Sequence, residues 1–382
     1  MNRDLLSGEY KRFPKHWDVI PFTKAFKDMT GGQTKIPKGD YLERGDIPII
    51  DQGQDLIGGY TNEYQAVCDI RLPCVLFGDH TKIFKFVTKP FALGADGVKV
   101  LSEANNIDPK FAYYFLNTLN LPDVGYSRHF RFLKRTFFPL PPLEEQRRIA
   151  AILDKADGVR RKRKEAIRLT EELLKSTFLE MFGDPVTNPK GWEIAKLGDF
   201  GKILTGNTPP RSVSENYGDE IEWIKSDNIT TPEHFLTEAE EKLSAKGKKI
   251  ARTVPNGSVL VTCIAGSRSS IGRAALTDRE VAFNQQINAV VPNSDVDPYF
   301  LYGQLFVAQH LVQAQSTDSM KGMVNKSKFS SIEFIKPPSQ KQQKFGKWFL
   351  GFHRYYMNLI SGEEQSENLF NSLLQRAFRG EL

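Results

Sequence analysis

The run Pro141-Pro142-Leu143-Glu144-Glu145-Gln146 lies near the middle of the chain, and a related run, Pro337-Pro338-Ser339-Gln340-Lys341-Gln342, lies near its C-terminus. A long amphipathic stretch follows each run. A turn-rich, β-like segment precedes each one and opens on Pro-Lys-x-Trp, at residues 14–17 and again at residues 189–192. The chain is therefore an internal repeat in the order globule, helix, globule, helix. Such a duplication predicts two copies related by a pseudo-twofold rotation.

Length agrees with this division, because 382 residues exceed what a single hydrophobic core usually serves. The repeat predicts a first globular domain over residues 1–142, a helix over 143–182, a second globular domain over 183–337 and a C-terminal helix over 338–382. Within the globules, β-branched and aromatic runs between glycine, proline and aspartate predict strands. One short helix packed on the sheet is also predicted in each globule. It starts at Asp108-Pro109 in the first and at Asp297-Pro298 in the second, because aspartate caps a helix and proline suits its first position. The fold class is thus α+β, with two mixed α/β domains.

The two helical segments carry apolar residues at alternating spacings of three and four, which is typical of a coiled-coil seam. The residues predicted to face the partner helix are Ile149, Ile152, Ala156, Val159, Ile167, Leu174, Phe178 and Met181 in the first segment, and Phe345, Trp348, Phe352, Tyr355, Leu359, Leu369, Leu373 and Phe378 in the second. Since a globule lies between the helices in sequence, they are expected to pair antiparallel.

Two details of the repeat are also predicted. The pair Leu173-Leu174 with Phe178 matches Leu373-Leu374 with Phe378, and Ser361-Gly362 is expected to kink or fray the second helix.

Composition limits the class of protein. Lysine and arginine number 52 against 46 aspartates and glutamates, and the net charge of +6 mildly favours a polyanionic partner. No uninterrupted apolar run reaches about 18 residues, and Met1-Asn2-Arg3-Asp4 opens no signal peptide, so a cytoplasmic protein is expected. The three cysteines, Cys68, Cys74 and Cys263, lack zinc-site spacing and are expected to be buried hydrophobes.

Several short segments together resemble a known family. They are Pro139 to Leu153, Phe182 to Pro185 and Ser372 to Leu382 around the helices, and Phe77 to Thr81, Gly94 to Val98 and Asn284 to Asn288 inside the globules. In this joint order the chain resembles the specificity subunit of type I restriction-modification enzymes. In that family, two target recognition domains alternate with two helical regions, and the resemblance covers the whole chain.

The resemblance implies a non-catalytic subunit that binds double-stranded DNA. Each recognition domain would read one half of a split, asymmetric target. The helices would set the spacer and dock two modification subunits, which carry the adenine methyltransferase, and restriction subunits would join the larger assembly. Neither a cofactor nor a metal is expected. No Asn-Pro-Pro-Phe or Asn-Pro-Pro-Tyr run exists, since a threonine interrupts Asn207-Thr208-Pro209-Pro210.

Glu144, Glu145 and Gln146 at the start of the first helix, with Gln342 at the start of the second, are the expected partner contacts. The second copy lacks the acidic pair of the first, so the contacts made by Glu144 and Glu145 are not expected to be duplicated.

Basic side chains beside apolar anchors are candidates for phosphate contacts, and polar side chains in loops are candidates for base edges. The phosphate candidates are Arg128, Arg131, Lys134 and Arg135 in the first domain, and Lys321, Asn325, Lys326 and Lys328 in the second. The base-edge candidates are His80, Thr81, Lys82, Lys225, Ser226, Asn228, Ser267, Arg268, Gln285 and Gln286. The run from Arg160 to Lys164 fits either a solvated helix face or a phosphate contact.

Two alternatives remain open from the sequence. The first is a DNA nuclease, with Asp79 and His80, or Asp219, Glu220, Glu222 and Lys225, as its metal-assisted site; neither cluster recurs in the other copy. The second is a coiled-coil scaffold that does not bind DNA.

Overall fold

A computed structural model describes residues 13–95, 97–125, 127–229, 233–317 and 322–382. The chain divides into two compact units. Unit 1 comprises Met1–Lys162 and Glu363–Leu382, and unit 2 comprises Arg163–Gly362. Each long helix therefore contributes one half to unit 1 and the other half to unit 2.

Unit 1 is built on a four-stranded antiparallel sheet of order β2-β8-β5-β6, a three-stranded sheet β4-β3-β7 and a β1-β9 pair. Its strands are β1 (Asp18–Pro21), β2 (Phe26–Asp28), β3 (Ile47–Ile50), β4 (Gly59–Thr61), β5 (Cys74–Gly78), β6 (Phe84–Val87), β7 (Ala92–Leu93), β8 (Val98–Glu103) and β9 (Phe137–Leu140). Its helices are α1 (Phe22–Ala25), α2 (Pro109–Leu116), α3 (Phe130–Leu133) and the first half of α4 (Leu143–Phe182).

Unit 2 has two four-stranded sheets, β11-β19-β15-β17 and β13-β12-β18-β14, with the pairs β10-β21 and β16-β20. Its strands are β10 (Ile194–Lys196), β11 (Gly201–Thr205), β12 (Tyr217–Ile224), β13 (Lys242–Leu243), β14 (Thr253–Val254), β15 (Val259–Thr262), β16 (Ile264–Ala265), β17 (Ala274–Leu276), β18 (Val281–Phe283), β19 (Ile287–Pro292), β20 (Gly322–Met323) and β21 (Glu333–Ile335). Its helices are α5 (Leu197–Phe200), α6 (Ala245–Ile250), α7 (Pro298–Val307), α8 (Gln309–Ala314), α9 (Lys326–Ser330) and the first half of α10 (Ser339–Ala377).

The two units share one topology. The sheet β2-β8-β5-β6 corresponds to β11-β19-β15-β17, and the parallel pair β3 with β7 corresponds to the parallel pair β12 with β18. The predicted α+β fold with tandem mixed domains is confirmed. The predicted caps are confirmed as well, because the carboxylates of Asp108 and Asp297 each accept two backbone N–H groups at the starts of α2 and α7.

The cysteines behave as predicted. Cys68, Cys74 and Cys263 are all free and buried. Burial raises the pKa of the Cys68 thiol to about 11 and those of Cys74 and Cys263 to about 12. Protonated thiols of this kind pack as small hydrophobes.

A buried glutamine at the start of each long helix ties that helix to the short helix of its unit. Gln146, fully buried, accepts a hydrogen bond from Asp108 N (2.8 Å) and donates to the carbonyls of Asn106 (3.0 Å) and Pro141 (2.8 Å). Gln342 does the same in unit 2, accepting from Asp297 N (3.0 Å) and donating to Pro337 O (2.7 Å). We call these contacts the glutamine clamps.

The sequence predicts that Gln146 and Gln342 contact a partner subunit. The structure corrects this prediction, because both side-chain amides are buried and make internal hydrogen bonds. A side chain with no exposed polar atom cannot hydrogen-bond to another subunit.

The predicted antiparallel pairing of the long helices is confirmed within each unit. In unit 1, Arg148 donates to Leu382 O (2.6 Å) and Arg160 donates to Glu367 (3.0 Å). In unit 2, Tyr356 Oη donates to Glu171 (2.8 Å), and the rings of Phe178 and Phe345 lie 5.4 Å apart. In both units the partner residue number falls as the α4 number rises, as antiparallel helices require.

The seam residues differ in part from the prediction. Val159, Tyr355 and Leu369 are 49%, 58% and 58% exposed. The next residue in each case, Arg160, Tyr356 or Phe370, turns inward instead. Arg160 does so because it bonds to Glu367 and its guanidinium lies 4.4 Å from the centre of the Phe370 ring.

The register of the repeat also needs correction by about one helical turn. Phe182 packs on Phe300 of α7 (4.8 Å between ring centroids), and Phe378 packs on Phe111 of α2 (5.5 Å). Phe182 is therefore the structural counterpart of Phe378, and the Leu-Leu match was misleading. Because four residues nearly complete a turn, the apolar stripe fits both registers and the sequence pattern cannot distinguish them.

No break occurs at Ser361-Gly362, where a kink was expected, because α10 is helical throughout this stretch. Gly362 has a packing role instead. The guanidinium of Arg163 occupies the space that a Cβ atom would need at this position.

Candidate DNA-binding surface

Three loops meet at one end of the unit 1 sheets. They follow β3 (residues 51–58), join β5 to β6 (79–83) and join β7 to β8 (94–97). Gln52 connects the first two, since its side-chain oxygen accepts from His80 N (3.2 Å) and its carbonyl accepts from Thr81 Oγ1 (2.7 Å). Asp79 N donates to Gly97 O (2.6 Å), which joins the second loop to the third. The predicted residues His80 and Thr81 therefore lie at the centre of a connected group of loops.

Asp79 positions the basic segment beside these loops. Its buried carboxylate accepts from Phe130 N (2.7 Å), and its carbonyl accepts from His129 N (2.8 Å). This holds the start of α3 against the β5–β6 turn. The predicted phosphate contacts Arg128, Arg131, Lys134 and Arg135 are all exposed there.

Aromatic rings support these cations. The ammonium groups of Lys99 and Lys134 lie 5.1 and 5.5 Å from the centre of the Phe130 ring, and Arg131 lies 4.7 Å from that of Phe132. Lys82 adopts the left-handed conformation (φ 62°) at the β5–β6 turn, and its ammonium lies 3.6 Å from Asp123.

The corresponding loops of unit 2 surround a cleft of about 510 Å³. Ser226 comes from the loop after β12, Ser267 from the segment between β15 and β17, and Gln286 from the loop between β18 and β19. The full lining is Ser226, Asp227, Ile264, Ala265, Gly266, Ser267, Ser270 and Gln286. The structure thus brings together three of the predicted base-edge residues, from three separate loops.

Lys225 and Arg211 lie beside this cleft, over an aromatic ring. Both are close to the Trp223 ring, at 5.5 and 5.1 Å, and both pair with Glu241. Burial opposes ionisation of Glu241, but hydrogen bonds from Arg211 and Lys225 outweigh it and lower the pKa of that carboxyl. Lys225, a predicted base-edge residue, therefore shares one carboxylate with Arg211, and its ammonium is engaged in an ion pair within the unit.

Other predicted residues have internal roles. Asn228 is buried, accepts from Lys225 N (3.0 Å) and donates to Thr237 Oγ1 (3.2 Å) and Glu238 O (3.1 Å), so it cannot read a base in this conformation. Gln285 accepts from Thr208, and Asn325 caps α9 by accepting from Lys328 N (2.9 Å). Arg268 and Lys326 are exposed. Lys321 lies outside the described residues.

The remaining expected partner contacts lie at the start of α4. Glu144 is exposed and pairs with Arg147 (2.9 Å), and Glu145 lies 3.4 Å from His16. Neither has an acidic counterpart in α10.

The run from Arg160 to Lys164 is not a uniform solvated face. Arg160 bonds to Asp157 and Glu367, and Arg161 pairs with Asp157 (3.0 Å). Arg163 packs at Gly362. The first part of this run thus serves the helix pair.

The carboxylates proposed for a nuclease do not converge. Asp79 is bonded to the start of α3, and Glu222 pairs with Arg279 (2.6 Å), while Asp219 and Glu220 are exposed. Among the described residues, no three His, Cys, Asp or Glu side chains form a group that could hold a metal ion.

Sequence reasoning missed Gln52 and the loop that carries it. The segment Asp51-Gln52-Gly53-Gln54 reads as an ordinary polar turn. Its proximity to His80 depends on the parallel pairing of β3 with β7, which places it beside the β5–β6 turn. The internal repeat could have identified Gln52, because it is equivalent to Ser226. Gln52 lies two residues after β3, and Ser226 lies two residues after the matching strand β12.

Comparison with known proteins decides the family. The family described as "Type I restriction modification DNA specificity domain" matches residues 17–169 and again residues 189–365. The chain belongs to this family. The double match agrees with the internal repeat, since one match covers each copy.

Curated relatives are specificity subunits. The chain is 31% identical over 200 residues to the type I restriction enzyme HindI specificity subunit of Haemophilus influenzae, spanning 51% of this chain and 42% of that protein. It is 25% identical over 329 residues to the EcoR124I/EcoR124II specificity subunit of Escherichia coli, spanning 80% of this chain and 79% of that protein. The match to the Haemophilus relative thus spans less than half of that protein's length.

Solved structures share the fold. The type I restriction-modification S subunit from M. genitalium superposes with a TM-score of 0.62 at 15% identity, over 95% of this chain and 96% of that one. A chain from a type I restriction-modification system studied for complex assembly superposes at 0.52 with 18% identity, over 97% and 99%. Within the described ranges of this specificity protein, no helix is both long and apolar enough to cross a membrane.

Proposed function

We propose that this specificity protein is the non-catalytic DNA-recognition subunit of a type I restriction-modification system. Each unit reads one half of a bipartite, asymmetric target in double-stranded DNA. The observation that carries the proposal is the convergence of three equivalent loops in each unit, with the same topology but different side chains. A shared scaffold with diverged loops suits two domains that read different sequences.

Base contacts are assigned to the loop residues and phosphate contacts to the exposed cations. His80 and Thr81 in unit 1, and Ser226, Ser267 and Gln286 in unit 2, supply donors and acceptors for base edges. Arg128, Arg131, Lys134 and Arg135 contact phosphates beside the first set, and Arg268 and Lys326 do so beside the second. As a subunit of a restriction-modification system, the protein acts in the cytoplasm.

Two modification subunits dock on the long helices. Exposed apolar residues recur at equivalent positions: Val159 and Leu369 in unit 1 correspond to Tyr355 and Leu173 in unit 2, and each is about half exposed. Each immediately precedes an inward-facing residue, so helical geometry places the two members of a pair on the same side of the antiparallel helices. We call these the duplicated apolar patches. Two equivalent patches suit two copies of one partner, and restriction subunits join through that assembly.

Methylation mapping tests the function. The chain is expressed with its modification subunits, and methylated adenines are located by sequencing genomic DNA. The expected motif has two defined half-sites separated by a constant number of unread bases. A continuous motif, or no methylation by an assembled complex, would refute the proposal. The non-catalytic role is tested separately: cleavage of duplex DNA by the purified chain with magnesium would contradict it.

A further inference from the structure

The loop after β3 in unit 1 is unusually well anchored for a surface loop. Lys85, buried on the neighbouring sheet, donates to the carbonyls of Asp51 (2.7 Å) and Asp55, and its ammonium lies 3.7 Å from the Asp51 carboxylate. Asp51 in turn accepts from Gly53 N (2.8 Å). Because the buried Lys85 donates hydrogen bonds to two loop carbonyls, it fixes the backbone of residues 51–55, and the loop is preorganised.

The base of the loop is closed just as tightly. Gly58 N donates to Ile49 O (2.9 Å). A Cβ atom at Gly58 would lie 2.6 Å from the Asp51 carboxylate, so a larger residue there would have to displace that carboxylate.

This fixed loop exposes two adjacent large aliphatic side chains. Leu56 is 51% exposed and Ile57 is 38% exposed. They directly follow Asp55, whose carbonyl accepts from Lys85 on β6, the strand that leaves the β5–β6 turn. The same loop carries Gln52, which bonds to His80 and Thr81 of that turn, so the aliphatic pair lies on the loop that borders the candidate base-reading surface of unit 1. Aliphatic side chains gain free energy when they leave water, so a pair of them held exposed on a rigid loop suits contact with an apolar group of a partner.

We propose that Leu56 and Ile57 are specificity determinants of unit 1, which contact the 5-methyl group of thymine in the half-site that this unit reads. The inference rests on the proposed function and adds to it the chemistry of one contact. Apolar side chains recognise thymine in the major groove by packing against that methyl group. The polar residues beside them, His80 and Thr81, read the adjoining edges.

Binding-site selection with the assembled methyltransferase complex tests this role. The variant is L56S/I57S, which removes both aliphatic groups from an exposed loop and leaves the Lys85 anchor intact. The matched control is V19S, an exposed aliphatic residue on β1 (39% exposed), which pairs with β9. The variant is expected to lose base preference at one or two adjacent A·T pairs of one half-site, with the other half-site unchanged. V19S is expected to select the wild-type motif.

Thymine-to-deoxyuridine substitution at those pairs sharpens the result. It removes only the methyl group, and it should weaken the wild-type complex about fourfold for each pair substituted, as expected for one buried methyl group per pair, while leaving L56S/I57S unaffected. An unchanged variant motif, or a loss confined to G·C pairs, would overturn the role of the loop while leaving the proposed function standing. Absence of a split motif for the wild type would overturn the proposed function and the role of the loop with it.

Discussion

The glutamine clamps and the candidate reading loops show opposite behaviour in the two units. Gln146 and Gln342 make the same contacts with the capping aspartate of the short helix. The loops occupy equivalent places but are built differently: Gln52 and Thr81 meet in unit 1, whereas Ser226, Ser267 and Gln286 line an open cleft in unit 2. The helix attachment is thus repeated, while the surface assigned to DNA has diverged.

Even the anchors of the diverged loops differ. The loop after β3 is short and is held by Lys85, whereas its counterpart after β12 is longer and is held by its own His234. That histidine is buried among the rings of Tyr302, Phe352 and Tyr356, with Nδ1 2.7 Å from Tyr302 Oη. The two equivalent loops are therefore held in different ways, by a lysine on a neighbouring strand in unit 1 and by a histidine within the loop in unit 2.

The largest expected effect comes from breaking a clamp. Gln146→Leu leaves the Asp108 N–H and two carbonyls without this partner, and Gln342→Leu leaves the Asp297 N–H and the Pro337 carbonyl without theirs. We expect each to lower the free energy of unfolding of its unit by about 3 kcal/mol, the cost of buried unsatisfied polar groups. Amide hydrogen exchange reports each unit separately. The control is Gln343→Leu, an exposed neighbour. Equal protection in Gln146→Leu and Gln343→Leu would mean that the clamp is dispensable.

A smaller effect is expected from the anchor of the longer loop. Burial, with a contribution from His353, lowers the pKa of His234 from 6.5 to about 3. The unfolded chain therefore binds a proton that the folded chain does not, and stability falls as pH drops below about 6.5. At pH 5 the loss is about 2 kcal/mol relative to the plateau at higher pH.

His234→Asn, which tolerates the left-handed backbone at this position (φ 65°), should remove that part of the acid sensitivity. Denaturant unfolding from pH 7 to pH 5 measures it, with the exposed His310→Asn as the control. If the two variants lose stability equally on acidification, His234 is not the responsible group.

The smallest expected effect concerns the duplicated apolar patches. V159D/L369D should weaken docking of one modification subunit about tenfold, and L173D/Y355D should weaken docking of the other by the same factor, because each change places two charges in an apolar contact. Native mass spectrometry would then show complexes with one modification subunit instead of two. Leu350→Asp serves as the control, since Leu350 is exposed but its counterpart is Asp154. If both double variants still bind two modification subunits, the duplicated apolar patches are not the docking sites.

Sequence patterns predicted the elements that depend on local chemistry. The Asp-Pro starts of α2 and α7 and the long helices after the proline runs follow from capping and periodicity. Periodicity did not predict which residues of the long helices face inward. The reason is that Arg160 takes an inward position, where it contacts Glu367 and the Phe370 ring, while the apolar Val159 faces outward.

Interactions between segments distant in sequence were harder to predict. The glutamine clamps were not predicted, because glutamine is usually a surface residue. Only the structure shows that Gln146 and Gln342 are buried against the capping aspartates. The candidate surface was found only in part: His80, Thr81, Ser226, Ser267 and Gln286 belong to the converging loops, but Asn228 has an internal role. Gln52 was missed because strand pairing, which composition does not encode, brings it to His80.

The proposed function requires that each unit reads its own half of one target. It is tested most directly by exchanging residues 1–142 for the same segment of a relative, while keeping the long helices and an Asp-Pro pair for the Gln146 clamp. Methylated adenines are then mapped on genomic DNA from cells that express the complete system. We predict that one half-site changes, while the other half-site and the spacer stay the same. A chimera that methylates with both half-sites changed, or with neither changed, would show that the two units do not read separate halves.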